Sequence, residues 1–300
     1  EIMPSLVGSE MCIRDRDYTM EPYLICLDLD GTLLNDEKEI SPYTFKVLQT
    51  LKEQGHHIMI ATGRPFRASR PYYDQLGLNT PIVNFNGAYV HNPTDADFPV
   101  THETLDPDLA SSIIDALRNM QVKNIIAEVK DHVFIDTYDE HLFEGFSMGN
   151  PKIETGDIVS QLNESPTSIL IEAEEHMIPR VKQMLSRFFA ESIEHRRWGA
   201  PFPVIEIVKR GISKARGIDS VKDALGVDRN HIIAFGDEDN DTEMIKYAKH
   251  GVAMDNGLDE LKHIAKETTY SNNQDGIGRY LNDFFSLNIP YQENANVHSC

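Results

Sequence analysis

Apolar and polar positions along the chain fall into two patterns that alternate. Short apolar runs stand at "YLICLDLD" (23–30), "HHIMIAT" (56–62) and "PIVNFNG" (81–87). The first is followed by "SPYTFKVLQTLKEQG", where Ser41 suits the N-cap, Pro42 the first helical position and Gly55 the stop. The second is followed by "GRPFRASRPYYDQLG", which predicts a helix ending near Gly77. Short apolar strands alternating with helices predict βαβ units and a parallel sheet buried on both faces.

The middle of the chain reads differently. "DPDLASSIIDALRNM" (106–120) predicts a helix capped by Asp106, and "NIIAEVKDHVFIDTY" (124–138) predicts two strands around a tight Lys-Asp-His turn. "TSILIEAE" (167–174) and "SIEHRRW" (192–198) read as strands on either side of a helix within 176–191. Hairpins with helices indicate an α+β module, placed at 88–200. From "VIEIVKR" onward the alternation returns, through "SKARGIDSVKDALG", "HIIAFGD" (231–237), "DTEMIKYAK", "GVAMD" and "LDELKHIA". One parallel α/β domain, 20–87 with 201–287, is therefore expected to be split by an inserted module. Residues 1–19 carry no period and resemble translated adapter sequence; they are expected to be a non-native or disordered leader, with Met20 as the natural start. The polar, aperiodic stretch 288–300 is expected to be disordered.

Three apolar segments of the split domain end abruptly in polar chemistry. The first closes on Asp28-Leu29-Asp30-Gly31-Thr32, the second on Ala61-Thr62-Gly63-Arg64, and the strand near 231–235 on Gly236-Asp237-Glu238-Asp239-Asn240-Asp241. Asp28 and Asp30, two apart, share one face of an extended chain. In open parallel sheets ligands bind at the carboxyl ends of the strands, so these distant segments are expected to converge on one crevice. A calcium loop does not explain them: counted from Asp28 the sixth and twelfth positions are Leu33 and Glu39, and from Asp237 they are Thr242 and Ala248. Taken singly, "GDEDND" also reads as an acidic helix start, Thr62-Gly63-Arg64 as an ordinary turn, and Lys214 as a surface lysine.

Composition narrows the function. A net charge of −20 over 300 residues argues against binding to a nucleic-acid backbone, and an anionic substrate would need cations supplied locally by its site. No run of 18 apolar residues exists, so no membrane span is expected. Cys12, Cys26 and Cys300 are too scattered for a disulfide framework or a zinc site; Cys26 reads as a small core residue, and the compartment as a reducing, cytoplasmic one. His56-His57 reads as the start of a strand rather than a metal pair.

Together, "DLDGTLL", "ATGR", a lysine opening a helix (Lys214) and "GDEDND" resemble, in this order, the four motifs of the haloacid-dehalogenase-like superfamily of phosphatases. The insertion after the second motif, the "NFNGAYV" leading into it and the "GDxxND" form of the last are similar to the Cof-type branch. The resemblance spans about residues 22–285. One departure is Ala215, where the family often has glycine after the lysine. It leaves the ammonium in place.

The resemblance implies a doubly wound, Rossmann-like core with the inserted module as its cap. It implies Asp28 as a nucleophile forming an aspartyl-phosphate, and Asp30 as the acid that protonates the leaving oxygen and then activates water. Such acid work requires a raised pKa, which neighbouring acids favour and lysine or metal opposes. It further implies Mg²⁺ on the Asp28 and Asp237 carboxylates and the Asp30 main-chain carbonyl. Leu29, Thr62, Gly63, Lys214 and Asn240 would meet the phosphoryl group, and Asp241 would support the site from behind. Glu238 and Asp239 read as solvated, and Arg64 as a loop brace in preference to a group that reaches substrate. His195, Arg196, Arg197 and Trp198 are either cap groups that select substrate or alternating residues of a strand. The expected substrate is a small phosphorylated metabolite, a sugar phosphate or phosphorylated cofactor. A phosphomutase or a receiver-like phospho-accepting switch remains an alternative reading.

Overall fold

The computed structural model describes residues 21–198 and 204–292. The expected leader lies outside the described residues. Along the chain come β1 (Leu24–Leu27), β2 (His57–Ile60), β3 (Ile82–Asn84), β4 (Tyr89–His91) and β5 (Thr101–His102). Then follow β6 (Asn124–Val129), β7 (His132–Ile135), β8 (Lys152–Thr155), β9 (Ser168–Glu172), β10 (Ile193–Trp198) and β11 (Val204–Lys209). The last are β12 (Ile232–Gly236), β13 (His250–Met254) and β14 (Glu267–Thr269).

The core sheet has the order β14-β13-β12-β1-β2 and is parallel throughout. A bridge between Ala61 and Val83 sets β3 beside β2. The chain leaves β1 towards β2 and returns to its other side on β12. The strand order thus reverses between β1 and β12, the position where open α/β sheets bind ligands at the carboxyl ends of their strands. Within β1, Ile25 and Leu27 join one apolar layer, with helices Pro42–Glu53 and Gly276–Phe284. Leu24 and Cys26 join the other, with helices Lys214–Leu225 and Thr242–Tyr247. Burial on both faces is why this strand reads as an unbroken apolar run. The helix starts follow their signals: Ser41 Oγ accepts from the Thr44 amide, and Asp106 from those of Asp108 and Leu109.

A second sheet has the order β10-β11-β9-β6-β7-β8, antiparallel except between β7 and β8. Helices Pro107–Asn119 and Ile178–Phe188 cover one face, and helix Glu140–Phe146 packs on the other with Ile126, Leu170 and Val204.

Three expectations are corrected. Val204–Lys209, read as core, lies in the second sheet between β9 and β10. Its apolar pattern specifies a buried strand but not which sheet buries it, and the chain rejoins the core only after Lys209. β4 and β5, inside the span given to the module, form a small antiparallel sheet with β3. Residues 288–292 are not loose: the Ile289 amide donates to Asn282 Oδ1 at 2.9 Å, and Ile289 packs on the core. Residues 293–300 lie outside the described residues. The two crossings between the sheets run side by side, since Glu103 accepts from Lys209 Nζ at 2.6 Å and from Arg216 Nη2 at 3.4 Å.

Candidate active site

β1 ends at Asp28, and residues 29–33 form one wide helical turn. The Leu33 amide donates to the Asp28 carbonyl at 3.1 Å and that of Leu34 to the Leu29 carbonyl at 2.9 Å. Gly31 sits at φ +71°, and a Cβ there would collide with the Asp237 carboxylate. The turn can thus close only over glycine, and it brings Thr32 Oγ1 within 2.6 Å of Asp237 Oδ1. The Leu29 side chain is fully buried in the core, which leaves only its main chain to serve a ligand.

Lys214, the first residue of helix Lys214–Leu225, is completely buried. Its ammonium donates to Asp28 Oδ1 at 2.7 Å and to Asp241 Oδ1 at 2.6 Å. Asp241 Oδ2 accepts from the amides of Asp237 and Glu238 at 2.9 and 3.1 Å. Asp241 therefore braces the lysine and the loop, with both oxygens already engaged. Asp28, Asp237 and Asp241 each bring a carboxylate oxygen within 4.8 Å of the others. Burial and the Asp241 charge push Asp28 up to about 7 despite Lys214, and burial with Asp28 and Asp241 pushes Asp237 well above its ordinary value. Asp241 and Asp28 hold the lysine charged against its burial. Three buried acids against one ammonium leave a charge deficit that a hard divalent cation on oxygen ligands would fill.

Asp30 departs from expectation. Arg64 Nε and Nη2 grip its two carboxylate oxygens at 2.7 and 2.6 Å, and Lys38 Nζ adds a third contact at 2.9 Å. Burial alone would raise Asp30, but the Arg64 fork and Lys38 outweigh it and hold the carboxyl below its ordinary value. Arg64 is thus more than a loop brace. It also donates to the Ala68 carbonyl at 3.0 Å and lies over the Tyr72 ring.

Thr62 follows β2, and its Oγ1 accepts from the Arg64 amide at 3.0 Å. Gly63 is buried beside it. The Thr62 carbonyl accepts from the Asn86 amide at 3.1 Å, and Asn86 Oδ1 accepts from Asn240 Nδ2 at 3.1 Å. Asn86 Nδ2 donates to Glu206 of β11. The sequence reading gave neither Asn86 nor Glu206 a role. A signal for Glu206 was present, an acid in the middle of an otherwise apolar run. Asp239, read as solvated, accepts from Lys182 Nζ at 3.2 Å and from the Arg197 amide at 3.4 Å. Glu238 caps the short turn Asp239–Asp241. The cluster on β10 divides: buried Arg196 pairs with Glu243 at 2.7 Å, Arg197 pairs with Glu175 at 2.7 Å, and His195 Nε2 lies 2.9 Å from Ser186 Oγ. The Trp198 side chain lies outside the described residues.

Acids at the ends of β1 and β12, joined by a buried lysine from a third segment, frame one centre. Residues 25–281 match the family model described as haloacid dehalogenase-like hydrolase. The chain belongs to this family. It is a haloacid dehalogenase-like phosphatase of the Cof-type branch, with a Rossmann-like core and a cap. Over 267 residues it is 49% identical to the 5-amino-6-(5-phospho-D-ribitylamino)uracil phosphatase YitU of Bacillus subtilis, covering 89% of this chain and 99% of that one. A haloacid dehalogenase-like hydrolase from Bacteroides thetaiotaomicron superposes with a TM-score of 0.73 at 26% identity, over 88% of this chain and all of that chain. SMU.1108c from Streptococcus mutans shares the fold, with a TM-score of 0.79 at 21% identity over 89% of this chain and all of that one. Among the described residues no helix is long and apolar enough to cross a membrane.

The acid cluster of this haloacid dehalogenase-like chain sets a pH dependence. Asp28 has its folded pKa raised from 3.8 to about 7. The stability linked to it is fully present below the lower value and is lost as pH rises through the upper one. A cation held by the ionised cluster would restore what is lost. In EDTA-treated protein, Mg²⁺ is expected to raise the thermal midpoint more at about pH 8 than at about pH 5. Calorimetry at both pH values checks this, and an equal shift at each would remove the cluster as the cation site.

Proposed function

We propose that this phosphatase is Mg²⁺-dependent and acts on a small phosphorylated metabolite through an aspartyl-phosphate on Asp28. The observation that carries the reading is Asp28 at the carboxyl end of β1, with the Lys214 ammonium 2.7 Å from its Oδ1 and the acids Asp237 and Asp241 beside it. The Asp28 and Asp237 carboxylates and the Asp30 main-chain carbonyl would hold Mg²⁺. The bound ion would neutralise charge on the phosphoryl oxygens and on the acid cluster.

In the first step an Asp28 oxygen bonds to phosphorus, and the bond to the leaving oxygen breaks as Asp30, protonated once the Arg64 fork has opened, supplies its proton. In the second, Asp30 takes a proton from water, the water oxygen bonds to phosphorus, and the Asp28–phosphorus bond breaks to release phosphate. Lys214, Thr62, Asn240 and the main chains of Leu29 and Gly63 orient the phosphoryl group, while Asp241 fixes Lys214. The cap sheet shields the acyl-phosphate from bulk solvent, leaving the one water that Asp30 activates. The 49% identity to YitU supports a phosphorylated ribitylaminouracil as the substrate. The buried Cys26 thiol accords with a reducing cytoplasm.

A panel of phosphomonoesters that includes 5-amino-6-(5-phospho-D-ribitylamino)uracil, assayed with Mg²⁺ and with EDTA, tests the proposal. The expected outcome is metal-dependent release of phosphate, with the highest kcat/KM on that compound. Undiminished turnover in EDTA overturns the metal assignment, and a higher kcat/KM on simple sugar phosphates overturns the substrate.

A further inference from the structure

The turn Phe85–Gly87 is strained and placed at the middle of the site. Phe85 holds φ +49°, unfavourable for a bulky side chain, Asn86 lies at +53° in the left-handed region that asparagine tolerates, and Gly87 follows at +105°. Its contacts reach three catalytic segments of the core, those of Thr62, Lys214 and Asn240. The Phe85 amide donates to the Arg64 carbonyl at 3.3 Å, and that of Asn86 to the Thr62 carbonyl at 3.1 Å. A Cβ on Gly87 would strike the carbonyl of Ser213, the residue that caps the Lys214 helix. The Asn86 side chain is wholly buried and uses both ends: Oδ1 accepts from Asn240 Nδ2, and Nδ2 donates to Glu206 Oε2. Glu206 is itself buried, and it belongs to the cap sheet, not to the core.

A buried carboxylate in the cap thus fixes which way the Asn86 amide points. An amide turned over would present Nδ2 to the Nδ2 of Asn240, donor against donor. We infer that Glu206 is a positioning residue: through Asn86 it orients Asn240 towards the phosphoryl group, so the phosphate site is complete only while the cap sheet is seated. This rests on the phosphatase reading given above. A charge-assisted hydrogen bond of this kind has an effect of about one to two powers of ten when lost. The relay acts through orientation, so the loss falls on kcat more than on KM.

The test uses four variants, 4-nitrophenyl phosphate with Mg²⁺, and calorimetric binding of inorganic phosphate. Glu206→Ala is expected to lower kcat about tenfold or more and to weaken phosphate binding by a smaller factor. Glu206→Gln still accepts from Asn86 and is expected to stay within about fivefold of wild type. Asn86→Asp sets one carboxylate against another and is expected to behave like Glu206→Ala. Asn86→Asp combined with Glu206→Gln rebuilds the bond with donor and acceptor exchanged, and is expected to recover at least about tenfold over Asn86→Asp alone. Recovery by exchange is not expected of residues that only fill space, and it holds even where Glu206→Ala folds poorly. Wild-type kcat and phosphate binding in Glu206→Ala, or no recovery in the exchange, overturns the relay. If the wild-type protein binds phosphate without hydrolysing esters, the phosphatase reading falls and the binding series still decides the relay. A wild-type protein that does neither overturns both.

Discussion

Asp28→Asn is expected to end turnover while leaving the protein folded. The substitution keeps the shape at the end of β1 and removes the attacking oxygen. Lys214 keeps one charged partner, Asp241, at 2.6 Å, so the buried ammonium is not stranded. Removing one of three crowded acids also relieves the repulsion that pushes Asp28 and Asp237 up. The thermal midpoint of the metal-free variant is therefore expected to equal or exceed that of wild type. The loss in kcat is expected to be about 10⁴-fold or more, the scale on which deletion of a nucleophile acts. Rapid quenching followed by mass measurement checks for the covalent species, which is expected in wild type and absent from the variant. A phosphorylated Asp28→Asn protein would move the nucleophile elsewhere.

The second large effect is at Asp30. Asp30→Asn removes the proton carrier and leaves the nucleophile and the main-chain carbonyl in place. In the structure the Asp30 carboxylate is held ionised by Arg64 and Lys38. The ionised form is the one that takes a proton from water, while donation to a leaving group requires the Arg64 fork to open first. The variant is therefore expected to be impaired most in the second step. With a good leaving group, Asp28 still becomes phosphorylated and the phospho-form accumulates, while steady turnover falls about 10²-fold or more. With an alkyl phosphate, where the leaving oxygen needs its proton, the first step slows as well. A burst of nitrophenolate followed by slow release checks the first claim, and wild-type turnover in the variant would remove Asp30 from the acid–base role.

Asp28, Asp237 and Lys214 were legible because each stands where a regular element begins or ends, and abrupt polarity at such a boundary has few structural uses. The lateral relations were not legible. Arg64 and Asp30 end neighbouring strands, yet nothing in the local pattern of either says that the side chains meet; the fork depends on the order β1-β2. Asn86 looks like a turn residue, and its partners lie 120 and 154 positions away. Placement of β11 failed for a related reason, since two sheets offered equal burial to one apolar run. Helix Glu140–Phe146 and strands β8 and β14 were passed over because they are short or polar, with too few periods to register.

Glu103 meets Lys209 on the returning crossing and Arg216 just beyond it, so the chain leaves the core and comes back through a single gateway. Everything between those two points is grafted onto a scaffold whose own parallel sheet is already complete. Such an attachment lets the insert be replaced as a cassette while the acids at the ends of β1 and β12 stay where they are. A transplanted insert would keep the phosphate chemistry of this scaffold and change what carries the phosphate, provided that it brings its own acid to the position held by Glu206.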